Sequence, residues 1–330
     1  MKSKENLLRA IKRQSPEWVP YGMESVVTIG FPVIERPGNS GKDDFGVSWD
    51  YKSDAEGGTY PSERDIIITD IKNWREQLKL PDIETKDWQN IENTVKDLDR
   101  DLYIVQGFCE MGIFERSYLL LGMEEALIAY QANPGDMYDL CGVVADYKIA
   151  LIERFYAATK MDMLWYGDDW GTQISLFISP ETWRKIIKPH TKRIYDCLKD
   201  LNIMINQHSC GKIESIFGDI CEMGADIWNP CQPCNDLYTM KRKYGDKICF
   251  NGGVDSQFVL ANPDKTPEDV KNEVIKRINE MALPDGGYIT APSHGVPYDR
   301  DKLESMDFAA VNYGREIYKK DKIHTIIPNL

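Results

Sequence analysis

The sequence lacks most of the patterns that identify nucleotide-binding, membrane or secreted proteins. It contains neither a P-loop nor a G-x-G-x-x-G after an early strand, which excludes the usual phosphate-binding turns. No apolar run approaches the roughly 18 residues needed to cross a bilayer, and no signal-peptide pattern opens the chain. The eight cysteines follow no disulfide spacing. We therefore expect a protein of the reducing cytoplasm, where clustered cysteines are more often ligands than disulfides.

Positive charge is also scarce. The chain has 40 Lys and Arg residues against 53 Asp and Glu residues, a formal net charge of −13. Because nucleic acids and anionic lipids require a basic face, we expect neither as a partner. The same balance disfavours a substrate that carries many carboxylates.

What the chain does contain, beyond about residue 100, is a regular alternation of strand-like and helix-like segments. Helix-start signals precede Pro134, Pro180 and Pro267. Apolar runs predict seven strands, at residues 18–23, 102–105, 163–166, 203–205, 225–228, 248–250 and 288–290. This alternation predicts a parallel α/β sheet. A TIM-type (β/α)8 barrel is favoured over a doubly wound open sheet, because the dinucleotide motif of the open sheet is missing.

The region before this alternation is irregular and rich in Gly, Pro and Asp. We interpret residues 28–100 as an N-terminal insertion that covers one face of the barrel. The chain is then a single domain over residues 1–330.

Histidine is rare, with only four in the chain, and two of them follow predicted strands. His208 and Cys210 are two residues apart after an apolar run, so both side chains can reach one ion. His294 follows a later strand in the same way. Two imidazoles and a thiolate would supply the three protein ligands of an open zinc site. The alternative is a buried cysteine and a hydrogen-bonded histidine.

A further ligand is expected from the Cys231-Gln232-Pro233-Cys234 segment, which follows another predicted strand. Cys231 is preferred because it lies nearer the strand end. A single C-x-x-C is equally compatible with two small residues in a loop.

Other polar residues also follow predicted strands, at the position where a TIM barrel carries its chemistry. Asp168 and Glu110 are the candidate catalytic residues, although either could instead cap a helix. The candidate substrate-binding residues are Asp169, Trp170, Asn251 and Tyr298.

Taken together, these segments resemble the uroporphyrinogen decarboxylase superfamily, and most closely its branch of cobalamin-dependent methyltransferases. The resemblance depends on the order and spacing of several pieces rather than on any one of them. The pieces are Glu5–Ala10 before Val19-Pro20, Phe45-Gly46-Val47 with Trp49, Gly167–Gly171, Ser179–Glu181, His208–Gly211, Gly252–Asp255 and Ala291–Gly295.

The resemblance implies that the His-x-Cys pair, His208 and Cys210, binds zinc. In the methyltransferase branch a late cysteine is a further ligand, and His294 stands at its place here. The decarboxylases also carry a late histidine, so His294 could contact substrate instead. Their N-terminal arginine signature is absent from Val19–Ser25.

The resemblance further implies a zinc-dependent methyltransferase that acts on a small methylated substrate, such as a methyl ether or a methylamine, or on a thiol acceptor. No D-x-H-x-x-G motif occurs, so the corrinoid (cobalamin) is expected on a separate corrinoid-binding protein. A homodimer is a further open alternative. A decarboxylase of a porphyrinogen-like or smaller acid and a catalytically silent metal-binding barrel are the alternative functions.

Overall fold

The computed structural model describes residues 1–53, 58–62, 64–295 and 298–319. Contacts group the chain into two compact units. The first, here the C-terminal unit, contains Met1–Val26, Arg100–Ile104 and the residues from Asn206 on. The second, here the middle unit, contains Val27–Asp99 and Val105–Ile205.

The described residues form ten strands and eleven α-helices, with short 3-10 turns and one π-helical turn between them. The strands are β1 Val26–Gly30, β2 Gly41–Lys42, β3 Ser48–Asp50, β4 Tyr60–Pro61, β5 Ile104–Cys109, β6 Met163–Gly167, β7 Met204–His208, β8 Ile227–Asn229, β9 Cys249–Val254 and β10 Tyr288–Pro292. The helices are α1 Ser3–Lys12, α2 Trp74–Gln77, α3 Trp88–Val95, α4 Ile113–Leu121, α5 Met123–Ala132, α6 Pro134–Thr159, α7 Pro180–Asp200, α8 Phe217–Met223, α9 Leu237–Tyr244, α10 Pro267–Met281 and α11 Arg300–Glu316.

In the C-terminal unit, the end of β7 and strands β8, β9 and β10 are parallel neighbours in chain order. His208 pairs with Asn229, and Trp228 pairs with Phe250. Because side chains alternate along a strand, His208, Asn229 and Asn251 project from one face of the sheet. Trp228 and Phe250 project from the opposite face, where Phe217 of α8 packs on them at 4.8 Å and 5.5 Å between ring centroids.

In the middle unit, β5 and β6 are parallel neighbours, so Cys109 and Tyr166 lie side by side near their carboxyl ends. Helices α6 and α7 pack against each other. The insertion predicted at 28–100 contains β2, β3 and β4 as a small antiparallel sheet.

A buried group of charges also lies in the middle unit. The fully buried Arg116 donates to Asp43 at 2.8 Å. The fully buried Lys148 donates to Glu35 at 2.6 Å. Buried charges of this kind are tolerated because each has an opposite charge as a hydrogen-bond partner.

Most predicted elements are present. Strands β5 to β10 overlap six of the seven predicted ones, and helices begin at Pro134, Pro180 and Pro267 as predicted. None of the described helices combines the length and apolarity needed to span a membrane.

The strand predicted at 18–23 is wrong. Tyr21 forms only one isolated bridge, to Thr290. Pro20 has no N–H to donate, and Gly22 and Ser25 adopt positive φ angles of 61° and 60° that turn the chain. The regular strand begins afterwards, at Val26.

Candidate metal centre and carboxyl cluster

His208 and Cys210 are brought together at the end of β7. The His208 Nε2 atom lies 3.4 Å from the Cys210 Sγ atom. Zinc bonds of about 2.3 Å to sulfur and 2.0–2.1 Å to nitrogen, arranged tetrahedrally, place the two ligand atoms about 3.5 Å apart. The pair therefore has the separation of two ligands on one zinc ion without any rearrangement.

The other ring nitrogen of His208 is held by Asn229, the last residue of β8. The His208 Nδ1 atom lies 2.6 Å from Asn229 Oδ1. The amide orientation of Asn229 is determined by its own partners, because its Nδ2 group donates to the Gln207 carbonyl at 3.3 Å and to Asn206 Oδ1 at 2.6 Å. Asn229 Oδ1 can only accept, so His208 Nδ1 supplies the hydrogen of this bond. We refer to Asn206, His208 and Asn229 as the amide–imidazole cluster.

The loop that carries Cys210 is anchored by a second loop, which follows β8. The Gly211 N–H donates to Gln232 Oε1 at 2.5 Å, and the Ile213 N–H donates to Asn235 Oδ1 at 2.9 Å. Asn235 Nδ2 returns a bond to the Gly211 carbonyl at 2.9 Å. These bonds limit the movement of the chain next to Cys210.

Cys231 lies in this second loop but faces away from solvent. It is fully buried, and its thiol donates to the Trp228 carbonyl at 3.2 Å. Burial raises the pKa of Cys231 well above its usual range. In the metal-free protein the thiol is therefore the stable form.

His294 has an exposed side chain and a fixed backbone. Its N–H donates to Ser256 Oγ at 2.9 Å, and Tyr298 donates its hydroxyl hydrogen to the His294 carbonyl. Within residues 1–53, 58–62, 64–295 and 298–319, neither His294 nor Cys231 belongs to a set of three or more potential metal ligands within 4.8 Å of one another. The structure brings together the predicted pair, while a role for His294 or Cys231 as ligand stays a prediction.

Asn251 projects from the same face as the amide–imidazole cluster. It is 7% exposed, and its Oδ1 atom has no hydrogen-bond partner among the described residues. A buried acceptor without a donor costs about 1–3 kcal/mol. This arrangement fits the predicted substrate-binding role, because a bound molecule could supply the donor.

Asp168, in the middle unit, caps a helix that lies earlier in the chain. Its two carboxylate oxygens accept from the Glu115 N–H at 2.9 Å and the Phe114 N–H at 3.1 Å, in the first turn of α4. Helix α4 has no side-chain cap of its own, since Gly112 is its N-cap. A Cβ atom on Gly112 would lie 2.4 Å from Asp168 Cβ, so glycine is required for this approach.

Further acidic side chains surround Asp168. We refer to Glu110, Glu115, Asp168 and Asp169 as the carboxyl cluster. Burial, opposed by the two amide donors, raises the pKa of Asp168 to about 6. Burial and the neighbouring Asp169 and Asp168 raise the pKa of Glu115 well above its usual range, and burial also raises the pKa of Glu110. Carboxyl groups with raised pKa values are suited to proton transfer.

The middle unit also contains a cavity of about 320 Å³ next to Glu115. Its other lining groups include Arg36, Trp49, Tyr60 and Tyr118. A volume of this size is at the lower end of small-molecule sites. Trp170, predicted to contact substrate, is instead fully buried and packs edge-on against Trp183, with 5.1 Å between ring centroids.

Sequence reasoning missed Asn206 and Glu115, and it gave Asn229 no role. Asn206 and Asn229 are polar residues inside or at the end of apolar strands, which is a signal of a buried polar network. Glu115 lies in a helix that starts without a capping side chain, and that absence indicates that a distant group supplies the cap.

Comparison with known proteins now identifies the family. The family model for uroporphyrinogen decarboxylase (URO-D) matches residues 43–309. A solved methyltransferase from Methanosarcina mazei aligns with a TM-score of 0.71 at 14% identity, over 95% of this chain and 99% of that one. A sugar phosphate isomerase/epimerase from Parabacteroides distasonis reaches a TM-score of only 0.30 at 10% identity, over 68% of this chain and 89% of that one. A search of curated proteins found no match.

The alignment with the methyltransferase confirms the predicted fold class, a TIM-type α/β barrel. The family model covers far more than half of the sequence and includes both Glu110 and the His208-Cys210 pair. This chain is therefore a member of the uroporphyrinogen decarboxylase family.

Proposed function

We propose that this protein is a zinc-dependent methyltransferase that exchanges a methyl group between a small substrate and a corrinoid held by a separate protein. The observation that carries the proposal is the His208–Cys210 pair, whose 3.4 Å separation and ring orientation suit one zinc ion. Membership of an enzyme family and the fold shared with a methyltransferase support it.

Bound zinc would act as a Lewis acid that polarises a methyl ether oxygen or keeps a thiol ionised. His208 and Cys210 would hold the ion, and a thiolate and a neutral imidazole leave it with a net positive charge. Asn251 Oδ1 would accept a hydrogen bond from the substrate. Glu110, half-buried with a raised pKa, would donate or accept a proton. Asp168 is fully buried, so it acts on the position of α4 and its neighbours.

The test is metal analysis of the purified full-length protein together with matched variants. We expect about one zinc per chain, and at least about 100-fold weaker zinc binding in His208→Ala and in Cys210→Ser, because each removes one of three or four ligands. Cys234→Ser is the control for a nearby half-buried thiol and should retain zinc. His294→Ala and Cys231→Ser then show whether either residue completes the coordination.

Activity is measured as methyl transfer to cob(I)alamin from a panel of methyl ethers, methylamines and methyl thiols. Wild-type protein should be active with at least one donor, and His208→Ala should be inactive. Wild-type protein without zinc, combined with unimpaired transfer in His208→Ala, would refute the proposal. Zinc binding without transfer from any donor would instead favour a silent metal-binding barrel.

The family match keeps a decarboxylase as the second candidate. In that reaction the protein would release carbon dioxide from a carboxylic acid without any corrinoid. The activity would survive Cys210→Ser, because no thiolate ligand is needed. Carbon dioxide release from an acid panel, compared between wild type and Cys210→Ser, separates the two functions.

A further inference from the structure

We infer that Asn229 is a positioning residue for His208: it selects the imidazole tautomer whose Nε2 atom faces Cys210. The inference extends the proposed zinc site to a residue that is not itself a ligand. It rests on the proposed function only for its consequence, since the tautomer itself is a property of the protein without metal.

The hydrogen bonds of Asn229 to Gln207 and His208 favour one orientation of its side-chain amide. The Gln207 carbonyl, 3.3 Å from Asn229 Nδ2, can only accept, so the nitrogen of the amide must face it. The oxygen then faces His208 Nδ1 at 2.6 Å. A reversed amide would place its N–H₂ group on the imidazole and its oxygen against a carbonyl oxygen.

Asn206 reinforces this arrangement from within β7. Its Oδ1 atom accepts from Asn229 Nδ2 at 2.6 Å, and its side chain projects from the same face as His208, two residues further along the strand. The three side chains form a chain of donors and acceptors from one strand to the next and back. Such partners of a ligating histidine typically change metal affinity by 10–100-fold when they are removed.

The chemical nature of the partner has its own consequence. Ligating histidines often donate to a carboxylate, which makes the imidazole a stronger electron donor. A neutral amide orients the ring without adding negative charge. Zinc held by such a ring would stay more electron-poor, which would favour polarisation of a substrate oxygen.

The tautomer can be read directly from the metal-free protein. The chain has only four histidines, so ¹⁵N–¹H correlation spectra of the rings are sparse, and the His208→Gln variant assigns the His208 signals. We expect a protonated Nδ1 and a pyridine-like Nε2 in the wild type. Asn229→Leu should shift the ring to the other tautomer or to a mixture.

Asn251→Leu is the matched control, because it removes a buried amide from the neighbouring strand and the same face. The His208 ring signals should not change in that variant. A wild-type ring protonated at Nε2, or an unchanged tautomer in a folded Asn229→Leu, would overturn the inference.

Zinc affinity provides the second readout, measured by competition with a chromophoric chelator. Asn229→Leu should bind zinc about 10–100-fold more weakly. Equal zinc affinity in a folded Asn229→Leu and in the wild type would also count against Asn229. Failure of the zinc proposal is distinguishable, because wild-type protein would then bind no zinc while its His208 tautomer remained as inferred.

Discussion

The two units of this protein use polar side chains at strand ends in opposite ways. In the amide–imidazole cluster of the C-terminal unit, neutral side chains bond to one another, and the result is one directed ring nitrogen beside a thiol. In the carboxyl cluster of the middle unit, acidic side chains crowd together and are held by backbone amides of α4. The first arrangement suits a soft metal ion. The second suits proton binding, because its carboxyl groups have raised pKa values.

The difference shows why equal positions in a pattern do not imply equal roles. His208 and Asp168 both follow apolar strands, and both were candidates on that ground. His208 is half-buried and lies against another potential ligand, whereas Asp168 is fully buried with both oxygens occupied by amide donors. Substitution of His208 should therefore affect ligand binding, whereas substitution of Asp168 should affect stability.

The largest loss of stability is expected for a substitution of Gly252, which lies against the backbone next to Asn229 of the amide–imidazole cluster. A Cβ atom on Gly252, whose φ is +124°, would lie 1.9 Å from the Pro230 carbonyl oxygen, directly after Asn229. We expect Gly252→Ala to lower the free energy of unfolding by more than about 4 kcal/mol, because backbone cannot yield to such a contact. Urea unfolding followed by circular dichroism measures it.

Gly253→Ala is the control for Gly252→Ala. Gly253 also has a positive φ, +90°, but its added Cβ would meet Leu237 at an ordinary 3.5 Å. The cost should be about 1–2 kcal/mol, from the left-handed backbone alone. Equal losses of unfolding free energy in the two variants would show that the positive φ angle, rather than the contact with Pro230, causes the destabilisation.

Much of this architecture could be predicted from the sequence. The contacts that could not be predicted share one physical cause, which is the long stretch of chain between the two partners. Helix starts at Pro180 and Pro267 are local, because Ser179 and Thr266 cap the turns that follow them. The partner of His208 is not local, since Asn229 is 21 residues away and reaches it only through the pairing of β7 with β8. Asp168 likewise meets α4 across more than 50 residues of chain. The periodicity of apolar residues predicts a helix or a strand, while the register between strands decides which side chains meet.

The second prediction concerns the capping role of Asp168. An asparagine at this position has one acceptor oxygen for two amide donors, so one buried N–H of α4 is left unpaired. At pH 5 we expect the free energy of unfolding of Asp168→Asn to be about 1–3 kcal/mol lower than that of the wild type. Zinc binding by His208 and Cys210 should be retained, in contrast to His208→Ala, which should lose zinc with little loss of stability.

The pH dependence sharpens this test. Burial raises the pKa of Asp168 to about 6 in the folded protein, above the roughly 3.9 of an unfolded aspartate. The folded state therefore binds the proton more tightly, and this stabilisation is complete below about pH 4 and lost as the pH rises through 6. The stability gap between wild type and Asp168→Asn should narrow from pH 5 to pH 7.5. A gap that widens over that interval would contradict a raised pKa.

The smallest expected effect tests the same principle in the C-terminal unit with the opposite sign of charge. Lys241 is fully buried and donates to the Gly287 carbonyl at 2.6 Å, and burial lowers its pKa to about 8. Because an unfolded lysine titrates near 10.4, stability should rise with pH above about 8, as the folded protein releases this proton first. Relative to Lys241→Met, the wild type should gain about 1–2 kcal/mol between pH 8 and 9.5. Lys243→Met, an exposed lysine of the same helix, should follow the wild-type curve. If it does, the pH dependence assigned here to the C-terminal unit comes from the buried Lys241, in a window above that of the buried Asp168 in the middle unit.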